Sequence, residues 1–275
     1  HNYKMQTEDF IPVYDMIKVL DLDKKKKIKG LSTERADILP AALAVINSFI
    51  KYMGVEQFTL SGAGLREGIM FNQALPMTIE KPIADVLNYS LTTLVKYYEC
   101  EETHVEHVVN LSIQLFKQLR VLHKFPRQYL KILKVASMLH DCGKRIKYYN
   151  HQRHSWYTVL NATLYGVTHR EIVMAAFTAC CHNKEDVNAY DWARYRDIVN
   201  EEDLEVVKKL GVMLRIAESL DRAGAGTIKS INCDILGDSV IMKTEVEGDA
   251  TLEIKNAMAA STEFRKAFHK NLEIL

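Results

Sequence analysis

The sequence predicts a mainly α chain, with a partial α/β segment at its start and a small β-hairpin subdomain near its end. Apolar residues recur at helical spacing through most of residues 83–228. A strand-like run with a Gly-containing turn lies within residues 1–82, and alternating apolar residues flank Gly237–Asp238 within residues 229–275. We therefore expect three regions, with these boundaries.

Composition excludes several classes of protein. The chain has 275 residues, of which 48% are hydrophobic and 26% charged, with a formal net charge of +1. This charge gives no reason to expect nucleic acid or a membrane as a partner, and no apolar run reaches the ~18 residues of a membrane span. Five cysteines form no CxxC pair, so we expect reduced core thiols in a cytoplasmic protein. The chain starts at His1 and its first methionine is Met5, from which we expect a fragment.

The sequence of residues 1–82 predicts a helix, a strand, a turn and a second helix. The segment LSTERADILPAALAVINSFIKYMGV favours a helix that begins at Ser32 or Thr33 and ends at Met53. The segment EQFTLSGAGLREGIMFNQ favours a short strand, a turn and a helix from near Leu65.

Two interpretations of this turn stay open. Gly62 and Gly64 could cradle a phosphate at the helix N-terminus. They could also serve a tight turn that needs glycine's backbone freedom, which is the interpretation we favour. Pro76 and Pro82 then bracket a predicted linker.

Six helical segments fill the second region. We expect Gly143 to cap the helix that ends in His140, and Thr168 with Glu171 to form a capping box. The predicted helices are ADVLNYSLTTLVKYYEC, HVEHVVNLSIQLFKQLRVL, YLKILKVASMLH, HSWYTVLNATLYG, THREIVMAAFTACCH and EEDLEVVKKLGVMLRIAESLDRA. In the third region, SINCDIL and SVIMKTEVE predict a hairpin, ATLEIK a further strand, and TEFRKAFHKNLEIL a helix.

Several histidines and carboxylates stand at helix ends or on apolar faces. His140 and Asp141 end an apolar helix, where an unpaired carboxylate is costly. A divalent metal would compensate it, because imidazole and carboxylate are both metal ligands. A His–Asp dipeptide alone more often marks a satisfied buried pair or an exposed helix end. The whole set, in chain order, is His104, His140, Asp141, His154, His182 and Asp221.

Neighbouring residues leave alternatives open. His107 lies one turn after His104 and could replace it, and His151 could replace His154 in the same way. Four cations flank the set and could hold phosphate oxygens, although solvated surface cations would give the same pattern. They are Lys144, Arg145, Arg153 and Arg222.

The order H…HD…H…H…D on helices, with the local sequences LHDCGK and ESLDR, resembles the HD-domain metal-dependent phosphohydrolases. The resemblance implies a fold for residues 83–228 and one or two divalent ions (Mn, Fe, Co, Ni, Zn or Mg). It implies that Asp141 and Lys144 are catalytic and that Lys144 and the three arginines bind substrate phosphate. The implied ligands of one metal are His104, His140, Asp141 and Asp221, and those of a second metal are His154 and His182, with Asp141 free to bridge.

The segment GLSTERADILPAALAVINSFIKYMGVEQFTLSGAGLREGIMF, with the tail TEFRKAFHKNLEIL, resembles the exopolyphosphatase and guanosine pentaphosphate phosphatase family. This resemblance implies that residues 1–82 are the end of the second lobe of an actin-like, ribonuclease-H-like phosphatase module. It implies a polyphosphate or nucleotide phosphate substrate, N-terminal phosphatase lobes as partners, and a homodimer. The chain carries no DxGS-like phosphate loop, so we do not expect it to cleave polyphosphate by that family's main mechanism.

Two functions follow from these resemblances. The first is a metal-dependent phosphohydrolase acting on a nucleotide or phosphate ester. The second is a non-catalytic module for polyphosphate binding and dimerisation. A metal pair with open coordination would favour the first function, and a metal-free site would favour the second.

Overall fold

The computed structural model describes residues 3–74, 85–183 and 189–275. The chain divides into two compact units, His1–Thr78 and Ile79–Leu275. The predicted linker between Pro76 and Pro82 lies outside the described residues. Within the described ranges, no helix combines the length and apolar character needed to cross a bilayer.

The first unit combines a two-stranded sheet with helices. β1 (Tyr3–Gln6) pairs antiparallel with β2 (Gln57–Leu60), with Tyr3 opposite Leu60. The helical elements, in chain order, are α1 (Thr7–Val19), α2 (Leu22–Lys25), a 3₁₀ turn (Thr33–Arg35), α3 (Leu39–Met53) and α4 (Leu65–Ala74). The predicted alternation of helix, strand, turn and helix in this region is therefore found.

The long helix of this unit starts later than the sequence predicts. Ser32 precedes only the 3₁₀ turn, and α3 begins at Leu39, where Pro40 suits a first helical turn because its missing N–H has no partner there. The predicted end at Met53 is correct, and Gly54 follows with φ 63° as a left-handed cap. In the turn before α4, the Gly64 N–H donates to Glu67 Oε2 at 2.8 Å. This bond favours the tight-turn interpretation over a phosphate cradle.

The second unit is a helical assembly with one small sheet. Its helices are α5 (Val86–Tyr97), α6 (Glu102–Gln118), α7 (Arg120–His123), α8 (Gln128–Leu139), α9 (His151–Asn161), α10 (His169–Cys180), α11 (Ala189–Ala193), α12 (Glu201–Ser219), α13 (Thr251–Met258) and α14 (Ser261–Phe268), with a 3₁₀ turn at Cys142–Arg145. The capping box of Thr168 and Glu171 is present. Helices α6, α8, α10 and α12 pack together around fully buried side chains that include Leu111, Leu133, Met174 and Leu210.

The C-terminal part joins this same core. β3 (Ile228–Leu236) and β4 (Ser239–Val246) form the predicted antiparallel hairpin, and β5 (Asn271–Ile274) adds to β4 in parallel. The strand predicted for ATLEIK is wrong, because this segment lies in α13, where Glu253 and Ala257 are buried at helical spacing. The predicted terminal helix ends early, since His269 adopts φ 55° and the chain continues as β5.

Two helix ends near the middle of the chain differ from the predictions. Gly143 does not cap α8 in a left-handed conformation; it lies in the 3₁₀ turn, and a Cβ there would lie 2.2 Å from the His151 carbonyl oxygen. Asn150 has φ 59°, and α9 begins directly after it at His151, three residues before the predicted start. The backbone at the start of α9 therefore packs directly against the turn that follows His140 and Asp141.

The packing between α10 and α12 predicts the effect of one substitution. A Cβ at Gly211 would lie 2.5 Å from Cys181 Cβ, so we expect Gly211→Ala to lower the free energy of unfolding by about 1–3 kcal/mol through overpacking. Chemical denaturation followed by circular dichroism measures this change. Gly68→Ala, in α4 with no atom within 4 Å of the added Cβ, is the control and should stabilise by up to about 1 kcal/mol. Equal effects of the two substitutions would contradict this packing.

Candidate metal centre

Five helices bring a set of histidines and carboxylates together in the second unit. His104 lies in the first turn of α6, His140 and Asp141 follow α8, and His182 follows α10. The set is completed by His151, the first residue of α9, and Asp221, which follows α12. All of these side chains are buried, and His140 has no exposed surface. Such a concentration of buried polar groups requires compensation by charges, hydrogen bonds or a metal ion.

The donor atoms form two groups that share one carboxylate. We call His104, His140 and Asp141 the first ligand group, and Asp141, His151 and His182 the second ligand group; within each, the ligand atoms lie within 4.8 Å of one another. Asp141 Oδ2 is 3.7 Å from His104 Nε2 and 3.6 Å from His140 Nε2. Asp141 Oδ1 is 3.4 Å from His151 Nε2. Each oxygen of Asp141 therefore faces a different ligand group.

Hydrogen bonds fix which nitrogen of each imidazole carries the proton. His140 Nδ1 donates to Ser137 O at 2.8 Å, His151 Nδ1 to Tyr148 O at 2.9 Å, and His182 Nδ1 to Ala179 O at 2.5 Å. A carbonyl oxygen only accepts, so each Nδ1 is protonated and the Nε2 of the neutral ring carries a free lone pair. This arrangement is typical of metal-bound histidines.

His104 is oriented in the same way by a carboxylate. Its Nδ1 donates to Asp221 Oδ2 at 2.7 Å, and Asp221 Oδ1 accepts the Gly226 N–H at 2.8 Å. Asp221 thus fixes the ring so that Nε2 faces Asp141. In this geometry Asp221 lies outside both ligand groups and is linked to the centre by its hydrogen bond with His104; its role as a metal ligand stays a prediction.

Four buried atoms test whether a cation fits. His151 Nε2 and His182 Nε2 are 2.9 Å apart, so two lone pairs would face each other unless a proton or a cation lies between them. His140 Nε2 and Asp141 Oδ1 are buried without a hydrogen-bond partner among the described residues. A proton shared by the first pair cannot satisfy these two atoms, whereas divalent cations in the two ligand groups satisfy all of them. The residues therefore fit one or two metal ions.

Electrostatics favours the metal-binding forms of these side chains. Burial lowers the pKa of His140 and of His182 to about 4, so both rings are neutral at pH 7. Burial opposes ionisation of Asp141, but its charged and polar surroundings, the Lys144 ammonium among them, hold the pKa of this carboxyl well below its usual range. Neutral imidazole and ionised carboxylate are the forms that coordinate cations.

The structure brings together most of the sequence-predicted set. His104, His140, Asp141 and His182 lie in the two ligand groups. His154 lies in neither group, whereas His151, which the sequence left open as an alternative, lies in the second; metal binding by His154 stays a prediction. The physical reason is the early start of α9 on Gly143, which turns the His151 side of the helix towards Asp141.

The four predicted phosphate-binding cations all have carboxylate partners. Lys144 Nζ contacts Asp141 Oδ2 directly, and Arg145 pairs with Glu99 at 2.8 Å. Arg153 pairs with Asp191 at 3.0 Å and Arg222 with Glu218 at 2.5 Å. Their role in phosphate binding stays a prediction.

A cleft of about 340 Å³ leads from the surface to the centre. Asp141, Lys144 and Arg145 line it, together with Tyr98 and Cys100. Arg153 and Arg222 are not among its lining residues. Lys144 and Arg145 are therefore the two predicted phosphate ligands best placed to meet a substrate beside Asp141.

Sequence reasoning missed one positioning residue. Ser155 Oγ accepts the Gly143 N–H at 2.9 Å and donates to the His140 carbonyl oxygen at 2.5 Å. It thereby ties α9 to both ends of the turn that carries Asp141. A serine inside a predicted helix gives no signal for this role.

Comparison with known families assigns the class of the protein. Residues 86–261 match the description "Ppx/GppA phosphatase, domain III", and residues 1–76 match "Ppx/GppA phosphatase family". The chain belongs to the Ppx/GppA phosphatase family.

Two relatives are each named guanosine-5'-triphosphate,3'-diphosphate pyrophosphatase. The protein of Aeromonas hydrophila is 27% identical over 143 residues, which are 52% of this chain and 28% of that protein. The protein of Aliivibrio fischeri is 28% identical over 155 residues, which are 56% of this chain and 29% of that protein. The matched part of the chain thus spans less than a third of the length of these relatives.

Two neighbouring histidines allow a matched test of the ligand groups. We expect wild-type protein dialysed to equilibrium against excess Mn²⁺ to hold two equivalents, and His151→Ala to hold about one fewer because the second ligand group keeps only two donors. His154→Ala, three residues along the same helix, should retain both. Elemental analysis gives the stoichiometry, and circular dichroism checks the fold. Metal loss in His154→Ala with retention in His151→Ala would contradict the assignment.

Proposed function

We propose that the chain is the C-terminal region of a phosphohydrolase of this family, and that its second unit is an HD-type, metal-dependent phosphohydrolase domain. The observation that carries the proposal is the sharing of Asp141 between two buried ligand groups whose imidazole Nε2 atoms point inward. Two-metal sites of phosphatases and nucleases have this organisation, with ions about 3.5–4 Å apart.

The metals would supply a nucleophilic hydroxide near neutral pH and stabilise charge on the phosphoryl oxygens. The residues of the chain would supply the remaining functions. Asp141 contributes a carboxylate oxygen to each ligand group. Asp221 keeps His104 in the required tautomer and orientation. Burial of these side chains limits their contact with bulk water.

The substrate we propose is a nucleotide or another phosphate ester. Lys144 and Arg145, which line the cleft, would bind its phosphate oxygens. The relatives whose names refer to guanosine-5'-triphosphate,3'-diphosphate support a phosphorylated nucleotide as the substrate class. Cleavage of a phosphoanhydride bond by the longer protein, N-terminal phosphatase lobes as partners, a homodimer and a cytoplasmic location stay predictions.

The alternative is a non-catalytic module that binds polyphosphate and forms a dimer. Such a module needs basic groups on its surface but has no need of two buried ligand groups with a common carboxylate. The geometry of Asp141 therefore favours the hydrolase over the binding module.

Removal of the shared carboxylate tests the hydrolase. With Mn²⁺ present and a panel of nucleoside phosphates and p-nitrophenyl phosphate, we expect the wild-type protein to release product. We expect Asp141→Asn to reduce kcat/KM by roughly 100-fold or more, because both ligand groups lose an anionic donor. Asp238→Asn makes the same chemical change at a side chain that is 96% exposed in the hairpin turn, and should leave the rate unchanged.

The outcomes separate the two functions. Equal rates in the wild type and Asp141→Asn would contradict hydrolysis at this centre. A wild-type protein that binds polyphosphate but releases no product from any substrate in the panel would favour the binding module.

A further inference from the structure

The two oxygens of Asp141 have different neighbours. Oδ2, which faces the first ligand group, is contacted by the Lys144 ammonium. Oδ1, which faces the second ligand group, is buried and has no hydrogen-bond partner among the described residues. A cation that approaches Oδ2 therefore meets a positive charge, whereas a cation that approaches Oδ1 meets only imidazole lone pairs.

The Lys144 contact follows from the local backbone. Residues Cys142–Arg145 form a 3₁₀ turn, and the Lys144 N–H donates to the Asp141 carbonyl oxygen at 2.9 Å. Side chains three residues apart eclipse each other in this geometry, which places the ammonium over the carboxylate of Asp141. The Lys144 side chain is 39% exposed and lines the open cleft, so it has room to move away from Asp141.

An ammonium group and a divalent cation compete for Oδ2. Two positive charges within about 4 Å repel each other strongly, and more so where burial lowers the effective dielectric constant. Occupation of the first ligand group therefore requires Lys144 to leave, and that displacement costs binding free energy. Occupation of the second ligand group requires no such movement.

We propose that the Lys144 ammonium, which lies in the turn beside Asp141, competes with a metal ion for the first ligand group. The second ligand group then binds a divalent ion first, and the first ligand group binds a second ion more weakly. Each time the weaker ion binds, the Lys144 ammonium is released into the cleft, where a substrate phosphate would lie. This inference rests on the proposed function, because it requires two metal positions at Asp141.

Titration with Mn²⁺ tests the competition without any measurement of activity. We expect isothermal titration calorimetry of the wild-type protein to show a tight and a weak step. Lys144→Met should tighten the weak step about tenfold or more and change the tight step much less. Lys147→Met removes the same charge from an exposed position three residues along the chain, and should give the wild-type isotherm. His104→Ala, which removes a donor of the first ligand group alone, should abolish the weak step.

The outcomes distinguish this inference from the proposed function. Two steps in the wild type that Lys144→Met leaves unchanged would overturn the competition while a dinuclear centre stands. Equal tightening by Lys144→Met and Lys147→Met would also overturn it, because net charge rather than direct contact would then set the affinity. A wild-type protein that binds no Mn²⁺ would overturn the proposed function, and this inference with it.

Discussion

The second unit of this protein is organised around one buried carboxylate, that of Asp141. It lies among His104, His140, His151 and His182, and each of its oxygens faces a different pair of imidazoles. An isolated buried carboxylate would be strongly destabilising, so the neighbouring groups are as much a requirement of the fold as a means of binding metal. The Lys144 ammonium contacts the Asp141 carboxylate, and a cation held by the inward-pointing Nε2 lone pairs would stabilise it further, which links the stability of the unit to its proposed chemistry.

The close packing of α9 against the turn at Gly143 fixes the position of these side chains. Gly143 allows the backbone of α9 to approach so closely that a single Cβ would lie 2.2 Å from the His151 carbonyl oxygen, and Ser155 bonds to both Gly143 and His140. These contacts place His151 beside Asp141 and fix the turn on which Lys144 stands. One short segment therefore sets the second ligand group and the charge beside the first.

The sequence predicts helices and buried residues well where the hydrophobic period is long, as for His104 at the start of α6 and for His182 after α10. It fails where a boundary depends on a few residues. Whether His151 or His154 faces Asp141 depends on where α9 begins, and α9 begins directly after Asn150, which is left-handed. An asparagine in a loop can adopt this conformation but need not, so the sequence does not predict it. The six residues of ATLEIK are too few to distinguish a period of 2 from one of 3.6, and α13 forms because its buried face continues to Ala257. The Lys144 contact depends on 3₁₀ geometry that a helix-and-loop description of the sequence does not contain.

In the proposed dinuclear centre, Asp141 would bridge two metal ions. The most direct test is the electron paramagnetic resonance spectrum of protein loaded with two equivalents of Mn²⁺. Two ions bridged by one carboxylate, about 3.5–4 Å apart, are coupled magnetically, so we expect a broad spectrum from an exchange-coupled pair that disappears in Asp141→Asn. A six-line spectrum from isolated ions in the wild-type protein would contradict the bridge.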